Sequence, residues 1–232
     1  MYIYGKNSCA EAIKNNKIKK AFIHENFNDK NLINKLIDKN IKIDYKTKYE
    51  LDNTIKGNHQ GIILEVDDYV YASLDDILKE DIIIMLDHLE DPHNFGAIIR
   101  TVEAFGLKSI IIPKDRSVKV NGTVSKVSVG TIENVNIAVV NNLVNTIKEL
   151  KEKGFWIIGT DMEGKDYKKI DYQGKIVIVI GNEGKGLSRL VEENCDFIAS
   201  IPMKGKVNSL NASVAAAIVI SEAVRNRWNM KI

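Results

Sequence analysis

The segment 176–227 constrains this fold more than any other part of the chain. It reads IVIVIGNEGKGLSRLVEENCDFIASIPMKGKVNSLNASVAAAIVISEAVRNR. Two apolar, β-branched runs, 176–180 and 197–201, are bounded by turn residues and read as buried strands. Each runs directly into a polar, glycine-bearing turn. Gly181-Asn182-Glu183-Gly184-Lys185-Gly186 follows the first, and residues 202–211 follow the second. An alanine-rich apolar run, 212–224, then has the small residues and the length of a buried helix. Two strand ends that deliver backbone amides and small polar side chains to one sheet edge make a ligand site. Ligands in open α/β sheets sit beyond the carboxyl ends of the strands.

The chain upstream repeats the same rhythm. Residues 81–86 are a continuous apolar run, the pattern of a central strand buried on both faces. They end in DHLEDPHNFG, residues 87–96. A helix follows over 97–105, with Gly106 at the usual C-terminal glycine position. Residues 109–112 read as a strand stopped by Pro113. Residues 114–122 read as loop, and 123–132 as a helix packed by Val124, Val127 and Val129. A strand over 135–140, an amphipathic helix over 143–153 ended by Gly154, and a strand over 155–160 come next. Residues 161–174 are polar and loop-like. Alternating strands and helices argue an α/β domain with a parallel sheet and helices on both faces.

Residues 1–66 form a smaller α/β unit with a β-α-β-α-β rhythm. Ser8 stands as N-cap of a helix through Asn15, with Glu11 at the capping-box spacing. Strands are expected at 20–24, 41–45 and 62–66, and helices at 31–39 and 48–55. The domain boundaries follow: 1–68 for the head, 69–80 for a short linker and 81–232 for the larger domain. Residues 1–66 hold 12 Lys against 8 Asp and Glu, hence +4, which leaves −2 of the formal +2 for the rest. A modestly basic head permits phosphate binding without requiring it.

Several classes are excluded. No apolar run approaches the ~20 residues needed to span a bilayer, so no membrane role is expected. The N-terminus lacks the charged-then-apolar pattern of a signal peptide. Cys9 and Cys195 are the two cysteines and lie far apart. They suggest neither a disulfide framework nor a zinc cluster, which makes a reducing cytoplasm the default. No His/Cys/Asp/Glu set has metal-ligand spacing, so no metal is expected.

Three strand-end loops carry the unusual polar chemistry. The first holds Asp91, His93 and Asn94, with Arg100 almost two helical turns on. An arginine there reads either as a phosphate clamp or as a solvated helix residue. The second, 181–186, has glycines that let a backbone approach a ligand closely. It lacks the Gly-Lys-Ser/Thr ending of the triphosphatase loop. Glu183 argues against phosphate and suits a ribose hydroxyl or a cation. The third, Asn208-Ser209-Leu210-Asn211, places three small polar residues at the mouth of an apolar helix. Asn208 or Ser209 reads as the N-cap. One cap needs one such residue, and the others need partners, for which a bound ligand is a candidate.

Together, LDHLEDPHNFGAIIRTVEAFG (86–106), IVIGNEGKGLS (178–188) and IPMKGKVNSLNASVAAAI (201–218) resemble the three motifs of the SpoU, or TrmH-like, RNA 2′-O-ribose methyltransferases, in that family's order and spacing. The head, with YGKNSCAEAI and HQGIILEV, is similar to the substrate-binding domain of its ribosomal RNA branch. The resemblance implies a catalytic domain with a deep trefoil knot and a head with a ribosomal-protein-like RNA-binding fold. It implies S-adenosylmethionine as cofactor, held near Gly181, Ile201 and Leu210, and a homodimer. It implies ribosomal RNA as partner, with methylation of a guanosine ribose in the large-subunit RNA. Arg100, Asn94, Glu183, Ser209 and Asn211 take the catalytic positions by their match to the motifs. Transfer RNA, a resistance-type target and a non-catalytic RNA-binding module of the same fold are the alternatives.

Overall fold

A computed structural model describes residues 1–15, 18–206 and 209–227. In chain order the elements are β1 (Tyr2–Tyr4), α1 (Lys6–Asn15), β2 (Ile18–His24), α2 (Lys30–Asp38), β3 (Ile43–Lys46), α3 (Lys48–Thr54), β4 (Ile62–Val66), α4 (Leu74–Ile77), β5 (Ile82–Leu86), α5 (Pro92–Ala104), β6 (Ser109–Pro113), α6 (Gly122–Val127), β7 (Asn136–Val140), α7 (Leu143–Glu152), β8 (Trp156–Asp166), β9 (Ile176–Ile180), α8 (Arg189–Glu192), β10 (Phe197–Ser200) and α9 (Ala212–Arg227). The chain divides into two compact units. One is Met1–Val70 with Lys119–Glu133, and the other is Tyr71–Val118 with Asn134–Ile232.

The first unit is built on a four-stranded sheet of order β1-β4-β2-β3. β4 runs antiparallel to both neighbours, while β2 and β3 are parallel. Ile13, Ile23, Leu36, Ile62 and Leu64 share one core cluster, and Tyr4, Leu51 and Ile63 share another. Strand β1 was not expected, because three residues are too few to show a period. α1 begins at Lys6, so Ser8 is not its cap. The Lys6 amide donates to Gln60 Oε1 at 2.8 Å, and the buried Ser8 donates its hydroxyl to the Lys126 carbonyl at 3.4 Å.

Residues 119–133 fall outside the expected boundaries, since they pack with the first unit. Asn121 caps α6 by accepting from Thr123 and Val124 amides at 2.9 and 3.0 Å. Tyr4 and Thr123 hydroxyls meet at 3.1 Å. A Cβ at Gly122 would stand 2.1 Å from the Tyr2 carbonyl oxygen, so only glycine fits that contact. The helix expected over 123–132 stops at Val127. Val129 turns to φ 56° and is exposed rather than packed.

The second unit is a six-stranded, all-parallel sheet of order β10-β8-β9-β5-β6-β7. β5, β6 and β9 are buried at every position, as continuous apolar runs require. Ile83 and Met85 pack with Ile147 and Leu150 of α7. Their alternates Ile84 and Ile178 are paired in register and point to the opposite face. On that side α9 packs on β9 and on α5. One expectation fails on the β8 side. Residues 161–166 were read as loop, yet β8 continues to Asp166. After a register shift in β10, Ala199 pairs with Lys165 and Ser200 with Asp166. The partner strand supplies the ladder that polar side chains could not announce. α8 was likewise not foreseen.

Candidate functional site

Three loops of the second unit meet through one side-chain amide. At the end of β5, Asp91 accepts from the His93 amide at 3.0 Å and Pro92 occupies the first turn, which starts α5 earlier than expected. This sets Asn94 in the first turn, 7% exposed. Its Nδ2 donates to Glu183 Oε1 at 3.0 Å, and its Oδ1 accepts from Asn211 Nδ2 at 2.9 Å. Asn94 therefore joins the loop after β9 to the start of α9.

Asn211 has a second task. Its Oδ1 accepts from the amide and hydroxyl of Ser213 at 3.0 and 2.6 Å. It is the N-cap of α9, a position the sequence reading gave to Asn208 or Ser209. Asn208 lies outside the described residues. Ser209 is exposed and lines the cleft beside Leu210.

The loop after β9 closes on itself. Asn182 and Gly186 exchange backbone hydrogen bonds of 2.9 and 3.0 Å, and the Gly184 amide donates to Asn182 Oδ1 at 3.0 Å. Asn182 Nδ2 donates to the His88 carbonyl at 2.8 Å. The amides of Asn182, Gly184 and Gly186 are thus engaged within the loop and are not offered to a phosphate. Gly181 has a steric reason instead. A Cβ there would lie 2.4 Å from the Gly186 carbonyl carbon. Gly186 adopts φ 66°, where side chains are rare.

Beside this bridge lies a cleft of about 400 Å³, within the ~300–1,000 Å³ of small-molecule sites. Thr160, Asp161 and Met162 of β8 form one wall. Residues 180–186 form another, and Ala199, Ile201, Met203, Ser209, Leu210, Ala212 and Ala215 complete it. Gly181, Glu183, Ile201, Ser209 and Leu210 thus share one cavity. Asn94 and Asn211 stand behind Glu183. Arg100 stands apart. It is exposed on α5, about 9 Å along the axis from Asn94 at ~1.5 Å per residue, and does not line the cleft. The β8 wall was missed, because a segment read as loop gave no reason to bring it to the site.

Carboxylates of Asp161 and Glu183 line the cleft with Lys185 as the one lysine among the described lining residues. Such walls disfavour a polyphosphate. They suit hydroxyls and a cationic centre, while Ile201, Met203 and Leu210 offer an apolar surface for a flat ring.

Comparison with known proteins agrees with this geometry. Residues 81–221 match the SpoU rRNA Methylase family, and residues 2–72 match the RNA 2′-O ribose methyltransferase substrate-binding family. A Bacillus subtilis (strain 168) protein named for the TrmH family of tRNA/rRNA methyltransferases is 42% identical over 238 residues, covering 97% of this chain and 96% of its own. A Staphylococcus aureus (strain COL) protein of the same description is 42% identical over 241 residues, covering 98% and 97%. The SpoU methyltransferase AviRb of Streptomyces viridochromogenes, solved with AdoMet, shares the fold at TM-score 0.81 and 23% identity, covering 98% of this chain and 90% of that one. The TrmH/SpoU tRNA modifying enzyme of A. aeolicus is 33% identical at TM-score 0.58, covering 66% and 84%.

Proposed function

We propose, for a chain that belongs to the SpoU rRNA Methylase family of RNA methyltransferases, that it methylates one ribose 2′-hydroxyl, that of a guanosine in large-subunit ribosomal RNA, using S-adenosylmethionine. The observation that carries the reading is the Asn94 bridge between Glu183 and Asn211 at the edge of a cleft lined by Gly181, Ile201 and Leu210. When bound, the donor supplies an electrophilic methyl on a positively charged sulfur, which needs no metal. Ile201, Met203 and Leu210 hold its apolar ring, and Gly181 lets it approach the backbone. Asp161 and Glu183, which line the cleft, would be the groups to hold its hydroxyls and cationic centre.

The other roles belong to the chain's own polar groups. A ribose hydroxyl must lose its proton as it attacks. Arg100 carries a guanidinium, a group that keeps its proton in proteins and is a poor base. Its guanidinium instead holds the phosphate beside the target ribose and stabilises the developing alkoxide. Asn94 fixes Glu183, Asn211 holds Asn94 from behind, and Ser209 completes the ribose side of the pocket. The head binds the RNA, in line with its match to a substrate-binding family. Under this reading the catalytic unit carries the family's deep trefoil knot, and the enzyme works as a homodimer in the cytoplasm. A sedimentation mass of one chain overturns the dimer.

A second reading takes transfer RNA as substrate, supported by the 33% identity to the A. aeolicus tRNA modifying enzyme. The test is transfer of labelled methyl to ribosomal and transfer RNA from a strain lacking this protein, with ribose-methyl mapping. Label at one guanosine of large-subunit RNA is expected. Label on transfer RNA alone keeps the chemistry and overturns the substrate.

A further inference from the structure

We propose that Asp87 and His88 are positioning residues that hold the cleft's glycine loop in its ligand-binding shape; the inference rests on the methyl-donor reading above. Asp87 follows the last residue of β5 and is 1% exposed. A buried carboxylate is costly unless it is hydrogen-bonded, and this one ends an otherwise apolar run. Both of its oxygens are engaged. Oδ2 accepts from the Ser188 amide at 2.6 Å, and Oδ1 meets His88 Nδ1 at 2.5 Å. Its own amide donates to the Ile180 carbonyl at 2.8 Å. The next residue, His88, offers its carbonyl to Asn182 Nδ2 at 2.8 Å.

These contacts fall at three places on one loop. Ile180 is the residue before Gly181, Asn182 is inside the loop, and Ser188 is the residue after Leu187. Asn182 passes the restraint on to Gly184 and Gly186 through its side chain and backbone. Two adjacent residues thus fix the entry, the middle and the exit of the segment that carries Gly181 and Glu183. His88 has φ 56°, a conformation that non-glycine residues hold only when their surroundings over-determine it. The imidazole bond to Asp87 and the carbonyl bond to Asn182 do so. A carboxylate suits the place because it offers an oxygen in each of two directions. An asparagine keeps one acceptor and turns a donor toward the other partner.

Two variants of the full chain test this. Asp87→Asn leaves size unchanged. Ser188→Pro removes the amide that Asp87 accepts and sets the ring Cδ against the same carboxylate oxygen, at φ −68°, which proline adopts, so it breaks this contact from the loop side. Ser188 makes no side-chain cap hydrogen bond, so none is lost with the hydroxyl. Two readouts are needed: amide hydrogen exchange at Gly184 and Gly186, and calorimetric S-adenosylmethionine affinity with its stoichiometry. Exchange is expected to rise about tenfold or more, and donor affinity to fall about tenfold at unchanged stoichiometry, with the RNA KM within about twofold of wild type. Unchanged exchange in both variants overturns the clamp. Raised exchange with wild-type affinity overturns its positioning role. Affinity lost only in proportion to stoichiometry marks a folding defect and overturns it too. Should the wild-type chain bind no donor, the functional reading fails, and the exchange data alone decide whether the clamp exists.

Discussion

The two sheets of this molecule obey different rules. In the second unit, β5, β6 and β9 are buried along their whole length and run parallel. In the first unit, β2 and β3 alternate or stay half-exposed, and the sheet mixes directions. A parallel sheet covered on both faces puts all its carboxyl ends at one edge, so three loops distant in sequence can share a cleft. A sheet with an open side keeps part of its surface for solvent or a partner. Tyr2 packs edge-on against Phe22 there, with Lys20 above the ring. The lesson is a division of labour: closed layers hold small-molecule chemistry, and a half-open layer presents polar and aromatic surface.

The comparison can be broken most directly by stability. Ile84→Ala, in the fully buried centre, should cost about 2–5 kcal/mol. Tyr45→Ala, 57% exposed on β3, should stay within about 0.5 kcal/mol. Chemical denaturation of both variants checks this, and equal losses would erase the contrast. The next effect is kinetic. Arg100→Ala should lower kcat by about 10²–10³-fold, as loss of a group stabilising transition-state charge does, with donor affinity unchanged. Near-normal turnover would remove Arg100 from the chemistry.

A paired glycine test sharpens the contrast inside the cleft. Gly181→Ala forces a Cβ against the Gly186 carbonyl carbon, whereas the nearest atom to a Cβ at Gly184 is 3.8 Å away. Overpacking of about 1–3 kcal/mol is expected at Gly181 only. Chemical denaturation reads this loss, beside a near-normal Gly184→Ala.

The smallest effect belongs to the head. Glu50 accepts from the Thr47 amide, Lys46 and the Thr47 hydroxyl, which hold its pKa down to about 2 from 4.5. A carboxylate with a depressed folded pKa contributes stability above its unfolded pKa and loses it as pH falls through the folded one. Glu50→Gln should therefore flatten the acid response of α3 between about pH 4.5 and 2, seen by circular dichroism. An unchanged acid profile would show that this capping box contributes nothing.

The element types were legible because local burial writes a local pattern. The runs at 81–86 and 176–180 read as buried strands, and the small apolar residues of 212–224 as a buried helix. The loop carrying Asn211 was legible as polar groups in excess of what a cap requires, and those carrying Asn94 and Glu183 as strand-end loops with unusual polar residues. Partners were not legible. Nothing in the sequence period says that β8 lies between β9 and β10, and so nothing predicted Thr160, Asp161 and Met162 as a cleft wall. Residues 161–166 became strand only because β10 supplied their ladder, and residues 119–133 joined the first unit through Gly122 and Thr123. Which runs were to be buried was largely set by the sequence itself, since hydrophobicity is carried by each side chain alone, though single residues such as Val129 were left exposed. Which buried and polar groups meet was decided by the tertiary structure, because hydrogen bonds and close contacts depend on where two distant segments are placed.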